Sequence, residues 1–259
     1  FYDKLTIPSY TGSSSIPANV GNMDNQGWEA LINTIPFQSK NWKIGFDLNF
    51  AQNENIIRSI SEFYPRTNIT SLDVNGKYKT YLQENNPFGS FYGFKYLGVY
   101  STKDETIARD ANGNKITDPY GNELYMRFQY PAVDYTFQAG DAKYADINHD
   151  GNIDDKDVVY LGNGLPKITG GFGLNVTFKN RLKLITFFDY KLDYDIVKSA
   201  DIATTNMYSF DNQSTAVLSR WRNPGYVTNM PRALYRKGYN WLGSSRYVQN
   251  ASYVRLQAV

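Results

Sequence analysis

The chain has 259 residues, 41% of them apolar and 20% charged, with a formal net charge of +2. That balance excludes an intrinsically disordered chain, and so small a charge gives no electrostatic case for a nucleic-acid partner. Cysteine is absent, which removes disulfides and thiolate metal sites, and no apolar run reaches the roughly 18 residues of a membrane-crossing helix. Aromatic residues are abundant, with 22 Tyr, 15 Phe and 4 Trp. Such a content fits a Tyr-rich β-sandwich or a membrane barrel girdled by aromatic side chains at both interfaces.

In chain order, "FYDKLTIPSY" opens as strand and "SYVRLQAV" closes as strand. The chain therefore reads as part of a longer protein. "NWKIGFDLNFAQN" gives the clearest periodicity: Trp42, Ile44, Phe46, Leu48 and Phe50 share one face, and Lys43, Gly45, Asp47 and Asn49 the other. Strict alternation predicts a strand. "GFGLNVTFKN" repeats it with Phe172, Leu174, Val176 and Phe178, and "LKLITFFDYK" follows after a short turn at 179–181. These segments have the roughly 9–11 residues that a tilted membrane strand needs.

The connections are unequal. "PFQSKN" and "KNR" are tight turns, whereas residues 53–170 form a long stretch rich in Asn, Gly, Asp, Pro and Tyr. Short turns at one rim and long loops at the other are the habit of outer-membrane barrels, so 53–170 is expected to be extracellular. Within it, "GSFYGFKYLGVYS" predicts a strand or hairpin arm, and "DANGNKITDPYGNELY" carries two turn signals. No internal repeat and no boundary between two domains is evident.

"DINHDGNIDDKD" (146–157) has the spacing of a calcium loop. Asp146, Asn148 and Asp150 take positions 1, 3 and 5, and Gly151 the sharp turn. Asn152 offers its carbonyl, Asp154 stands at position 9 and Asp157 closes the loop. Calcium takes six to eight oxygen ligands, which this segment supplies. The flanks are not helical and position 12 is Asp, so a structural Ca2+ of modest affinity is expected. The competing reading is a metal-free series of Asx turns. His149, the only histidine, stands where the loop points outward and supports no catalytic role. Asp193 and Asp195 fit polar strand-end residues better than a glycosidase pair. No enzymatic constellation emerges. Trp221, Tyr239, Trp241 and Tyr247 precede the last strand, where exposed rings would stack on a sugar face.

Several of these stretches together resemble the SusC/RagA-type TonB-dependent transporters of Bacteroidota. The resemblance is carried by "IPSYTGSSSIPANVGNMDNQGWEALINTIP", "GSFYGFKYLGVY", "GDAKYADINHDGNIDDKDVVYLGNGLPKITGGFGLNVTFKN", "LSRWRNPGYVTNMPRALY" and "SSRYVQNASYVRLQAV". One departure is an extra residue in the "KNRL" turn, which leaves the register beyond it open. The resemblance implies an all-β fold: residues 1–259 would be the C-terminal part of an antiparallel transmembrane β-barrel of about 22 strands. The plug and the TonB-contacting region would lie upstream. It further implies the Gram-negative outer membrane, a SusD-like lipoprotein partner, energy from the TonB complex, and an oligosaccharide or peptide cargo. The alternative is a secreted, calcium-stabilised β-sandwich that binds carbohydrate.

Overall fold

The computed structural model describes residues 2–61, 82–130, 133–236 and 239–259. The chain begins with a short antiparallel ribbon of β1 (Tyr2–Thr6) and β2 (Ser15–Asn19). It then makes a long hairpin of β3 (Gly21–Gln38) and β4 (Trp42–Ile60). A first insertion follows, holding β5 (Ser90–Phe94), β6 (Tyr96–Val99), β7 (Arg127–Tyr130), β8 (Val133–Thr136), β9 (Ala142–Tyr144), β10 (Asn152–Ile153) and β11 (Val158–Asn163). The chain re-enters the main sheet as β12 (Ile168–Phe178) and β13 (Leu182–Leu192). A second insertion holds β14 (Asp195–Val197), helix α1 (Ser199–Thr205) and β15 (Val248–Asn250), before β16 (Tyr253–Ala258).

The main sheet is antiparallel, with strand order β16-β13-β12-β4-β3. The predicted alternation sets its two faces. One transverse row reads Ile32, Leu48, Phe172, Phe188 and Leu256, and another Ala30, Phe50, Gly170, Tyr190 and Val254. Phe172 and Phe188 stack with centroids 4.8 Å apart, and Trp42 meets Phe178 at 4.5 Å beside the turns. Gly170 is required here, because a Cβ would lie 2.7 Å from the Tyr190 ring, whose hydroxyl donates to the Asn49 carbonyl. Among the described residues no second sheet covers this apolar face, and Ile32, Trp42, Leu174, Leu182, Leu184, Val254 and Leu256 are exposed on it. A soluble sandwich would bury such a face against a sheet about 10 Å away. The opposite face carries Lys43, Asp47, Asn175, Lys183, Asp189 and Arg255, interrupted by Leu31, Ile185 and Phe187.

The extra residue of the 179–181 turn leaves the register intact. Lys179 and Asn180 adopt positive φ (50° and 56°), and Phe178 pairs directly with Leu182. Pro36 falls where β3 slips register between Thr34 and Phe37, a place where its missing N–H costs no ladder bond.

Two expectations are revised. Strand β4 continues to Ile60, so the 53–170 region begins as strand; residues 62–81 and 131–132 lie outside the described residues. The "no repeat" reading is also corrected. "DANGN" (110–114) and "DPYGN" (118–122) form two equivalent turns. The Asp110 carboxylate accepts the backbone N–H of Asn112 and Asn114, and Asp118 those of Tyr120 and Asn122. Gly113 and Gly121 sit at φ +84° and +86°. The backbones of Ala108, Ile116 and Leu124 close a ring of three bonds, in which Ile116 N–H donates to Ala108, Leu124 N–H to Ile116 and Ala108 N–H to Leu124. The Asn114 backbone N–H and then its side-chain amide hold the Asp110 carboxyl below the usual carboxylate range, and the Asn122 side-chain amide and then its backbone N–H do the same for Asp118.

The two insertions fold together as one lobe. Its core is Phe94, Tyr100, Ala108, Met126, Phe128, Phe137, Ala142, Tyr144 and Ile153 from the first insertion, closed by Leu242 from the second. Phe94 N–H donates to the Gly243 carbonyl, Arg232 N–H to Gly140, and the Tyr144 hydroxyl to Tyr239.

Candidate metal loop and the aromatics of the lobe

The 146–157 segment leaves β9 and ends on a 3₁₀ turn at Asp155–Asp157 that opens into β11. Its conformation follows from its own side chains. Asp146 accepts the N–H groups of Asp150 and Gly151 (3.2 and 2.8 Å), and Asp150 accepts Asn152 N–H at 2.8 Å. His149 and Gly151 take the left-handed region (φ 57° and 84°), which curls the chain. Asp154 caps the 3₁₀ turn by accepting Lys156 N–H, while Asp157 accepts Asp154 N–H in return. A capping box of this kind satisfies both orphan donors.

Asp157 is fully buried and also accepts Ile147 N–H at 2.7 Å. Burial pushes its carboxyl up to about 6, against the pull of those two N–H donors. Burial also acts upward on Asp150. There the donors Asn152 and Asn148 and the Lys156 ammonium prevail and hold the carboxyl low. Lys156 Nζ lies 3.6 Å from Asp150 and 3.9 Å from Asp154, occupying the flank with its own charge. Among the described residues no group of three or more His, Cys, Asp or Glu side chains is gathered as a metal cluster. The donor set of the loop depends equally on Asn148 and on the Asn152 carbonyl. The donors are all oxygens, the chemistry a hard cation takes, and Asp157 already shares its buried carboxylate with two backbone N–H groups.

The four ring candidates lie in the second insertion but do not share one surface. Trp241 is 1% and Tyr247 3% exposed, so their rings are spent on packing and present no face to a solute. Tyr239 stacks on Tyr135 with centroids 4.3 Å apart and contacts Phe128. Trp221 is half-buried over Gly140 and donates Nε1–H to the Ser101 carbonyl at 3.2 Å. With Lys103, Tyr125, Gln138 and Arg232 it lines an open cavity of about 620 Å³. Sequence reasoning missed Asp141, which anchors this wall. It is buried and accepts from Arg232 Nε (2.7 Å), the Tyr135 hydroxyl (2.7 Å) and Gln138 N–H (2.8 Å). Burial works against the Arg232 charge, but the Asp141 bond outweighs it and raises the guanidinium pKa. No local pattern marks Asp141, since its partner is 91 residues away.

No protein-family model matches the chain. It is 28% identical over 282 residues to TonB-dependent receptor P39 of Formosa agariphila, covering 98% of this chain and 25% of that receptor. TonB-dependent receptor P26 of the same organism matches at 28% over 260 residues, with 98% and 23% covered. The chain thus spans about a quarter of the length of the curated relatives it matches. Among solved structures, the RagAB peptide transporter superposes with TM-score 0.61 and 22% identity over 98% of this chain and 24% of the neighbour. The RagAB peptide importer in its "closed-closed" state gives 0.60 at 21% identity, covering 99% of this chain and 24% of that one. These relatives are receptors and transporters rather than enzymes, in keeping with the lack of a catalytic constellation in the sequence. Over nearly its whole length the chain is a homologue of TonB-dependent receptors, and its five-stranded sheet has the fold of a stretch of their β-barrel wall.

Proposed function

We propose that this chain forms wall and extracellular loops of an outer-membrane importer of oligosaccharides or peptides, energised through TonB and working with a SusD-like surface lipoprotein. The observation that carries this reading is the two-faced sheet. Its apolar rows, from Ile32 across to Leu256, lie bare on one side, while Asp47, Asn175 and Lys183 lie on the other. Lipid is the medium in which such a face is stable without a covering sheet, and a wet lumen suits its reverse. The peptide-importer neighbours support the cargo class and the lipoprotein partner by likeness alone.

In this reading the lobe stands on the outer side. The 146–157 loop binds Ca2+ through Asp146, Asn148, Asp150, the Asn152 carbonyl, Asp154 and Asp157, and the ion has a structural task. Trp221, at the mouth of its cavity, and Tyr239 are the rings placed to touch cargo; Trp241 and Tyr247 support them from the core. Two measurements test the proposal. The protein should fractionate with the outer membrane and a cysteine placed at His149 should be labelled on intact cells. Deletion should abolish TonB-dependent uptake of one class among a panel of glycans and peptides. Recovery of the intact protein in a detergent-free soluble fraction would reject it.

A further inference from the structure

In the second insertion, Arg246 sits among three rings. Its guanidinium carbon is 4.8 Å from the Trp241 centroid, 5.2 Å from Tyr247 and 5.3 Å from Tyr96. No carboxylate lies within ion-pair reach of it among the described residues, whereas the partly buried Arg232 has Asp141. Its Nη2–H donates only to the Met230 thioether, and its Nη1 is buried with no hydrogen-bond partner. The indole Nε1 of Trp241, on the neighbouring side chain, is a second buried donor without an acceptor. Unsatisfied buried donors carry a desolvation cost, and thioether sulfur is a weak acceptor, so the group is poised for a better one.

The setting admits a ligand. Arg246 and Met230 line an open cavity of about 510 Å³ together with Tyr96, Leu97, Ser219 and Asn229. Aromatic faces hold the guanidinium without neutralising it. Methionine is unbranched and adaptable, so its sulfur can give way without breaking the core. We propose that Arg246 is a recognition site for a solute carboxylate, which displaces the Met230 thioether and takes the free edge of the guanidinium. The planar fork of arginine suits a carboxylate's two oxygens. A peptide C-terminus and a uronic acid share this chemistry. The inference deepens the importer reading by giving its cargo an anionic end, and rests on it only for the route by which cargo arrives.

The test is calorimetric titration of the full-length receptor in detergent with four probes: Gly-Gly-Phe and its C-terminal amide, and digalacturonate and its methyl ester. At least one acid should bind about tenfold or more tightly than its neutral counterpart, the scale of a hydrogen bond to a charged group. Which acid does so identifies the source of the carboxylate. Arg246→Gln should erase the difference. Leu97→Trp, at a half-exposed position on the cavity rim, should weaken the acid without disturbing the caged arginine, so a folding failure of the first variant leaves the test intact. Equal binding of acids and neutral probes, or no binding of any, overturns the inference. TonB-dependent uptake by cells, measured separately, decides the importer reading alone.

Discussion

Arg232 Nε and Asp141 Oδ1 lie 2.7 Å apart, in an ion pair whose carboxylate has no exposed surface and whose partners belong to different insertions. The pair therefore ties two lengths of chain together inside the lobe. Removing one partner of a buried pair leaves the other charge uncompensated, at a cost of about 3–5 kcal/mol. Asp141→Asn is expected to loosen the lobe by that amount while the barrel sheet holds. Hydrogen exchange should then quicken in 133–144 and 230–242 and stay unchanged in β12 and β13. Uniform exchange across all of them would contradict the expectation.

Gly140 meets the Trp221 ring so closely that a Cβ would lie 2.4 Å from it, and its φ of +88° is unsuited to a side chain. Gly140→Ala should therefore cost about 1–3 kcal/mol and displace the indole from its Ser101 bond. Limited proteolysis near Trp221 and a shift of tryptophan emission would report it.

In the 146–157 loop, Lys156 competes with any cation for Asp150 and Asp154. Its exposure screens the effect, so Lys156→Ala should tighten Ca2+ binding only a few-fold. Starting affinity should fall in the range of about 10⁻⁴–10⁻³ M seen in extracellular modules. Asp146→Ala, which removes the acceptor for Asp150 and Gly151 N–H, should abolish binding and expose the loop to protease. Chelator should have no effect on that variant, and a chelator response that survives Asp146→Ala would count against the loop as the metal site.

The bare face of the sheet predicts an asymmetry between neighbours in sequence. Phe46 and Leu174 pair on the apolar side, and Gly45 and Asn175 on the other. Leu174→Arg should cost about 2–4 kcal/mol in a lipid-facing position, whereas Asn175→Arg should cost far less. Folding titrations into lipid vesicles measure both, and equal penalties would argue against lipid contact.

Much of the sheet could be read in advance, because apolar and polar side chains alternate along most of β4, β12 and β13. The reading stopped at Phe50 because Gln52, Asn53, Glu54 and Asn55 are polar on both faces, so the signal fades while the hydrogen-bond ladder runs on to Ile60. The twin turns at Asp110 and Asp118 were visible as separate signals. Their equivalence lay in a five-residue unit, Asp-x-x-Gly-Asn, too short and too polar to read as a repeat. The 146–157 segment stands out as a candidate in sequence because its possible donors are contiguous. The fate of the aromatics is not legible: Trp241 and Trp221 look alike in sequence, yet Trp241 is buried with Met230 and Tyr247 of its own insertion while Trp221 lies half open over Gly140 of the first.

The lobe's core has a consequence for how the molecule is assembled. Nine of its central side chains come from one insertion, yet Leu242 and the carbonyls of Tyr239 and Gly243 that close it arrive after two further wall strands have been laid down. Contacts so distant along the chain form late, since loop closure must precede them. The first insertion therefore stays unfinished until β12, β13 and the second insertion have followed it, and a closed lobe reports that those two wall strands are already in place.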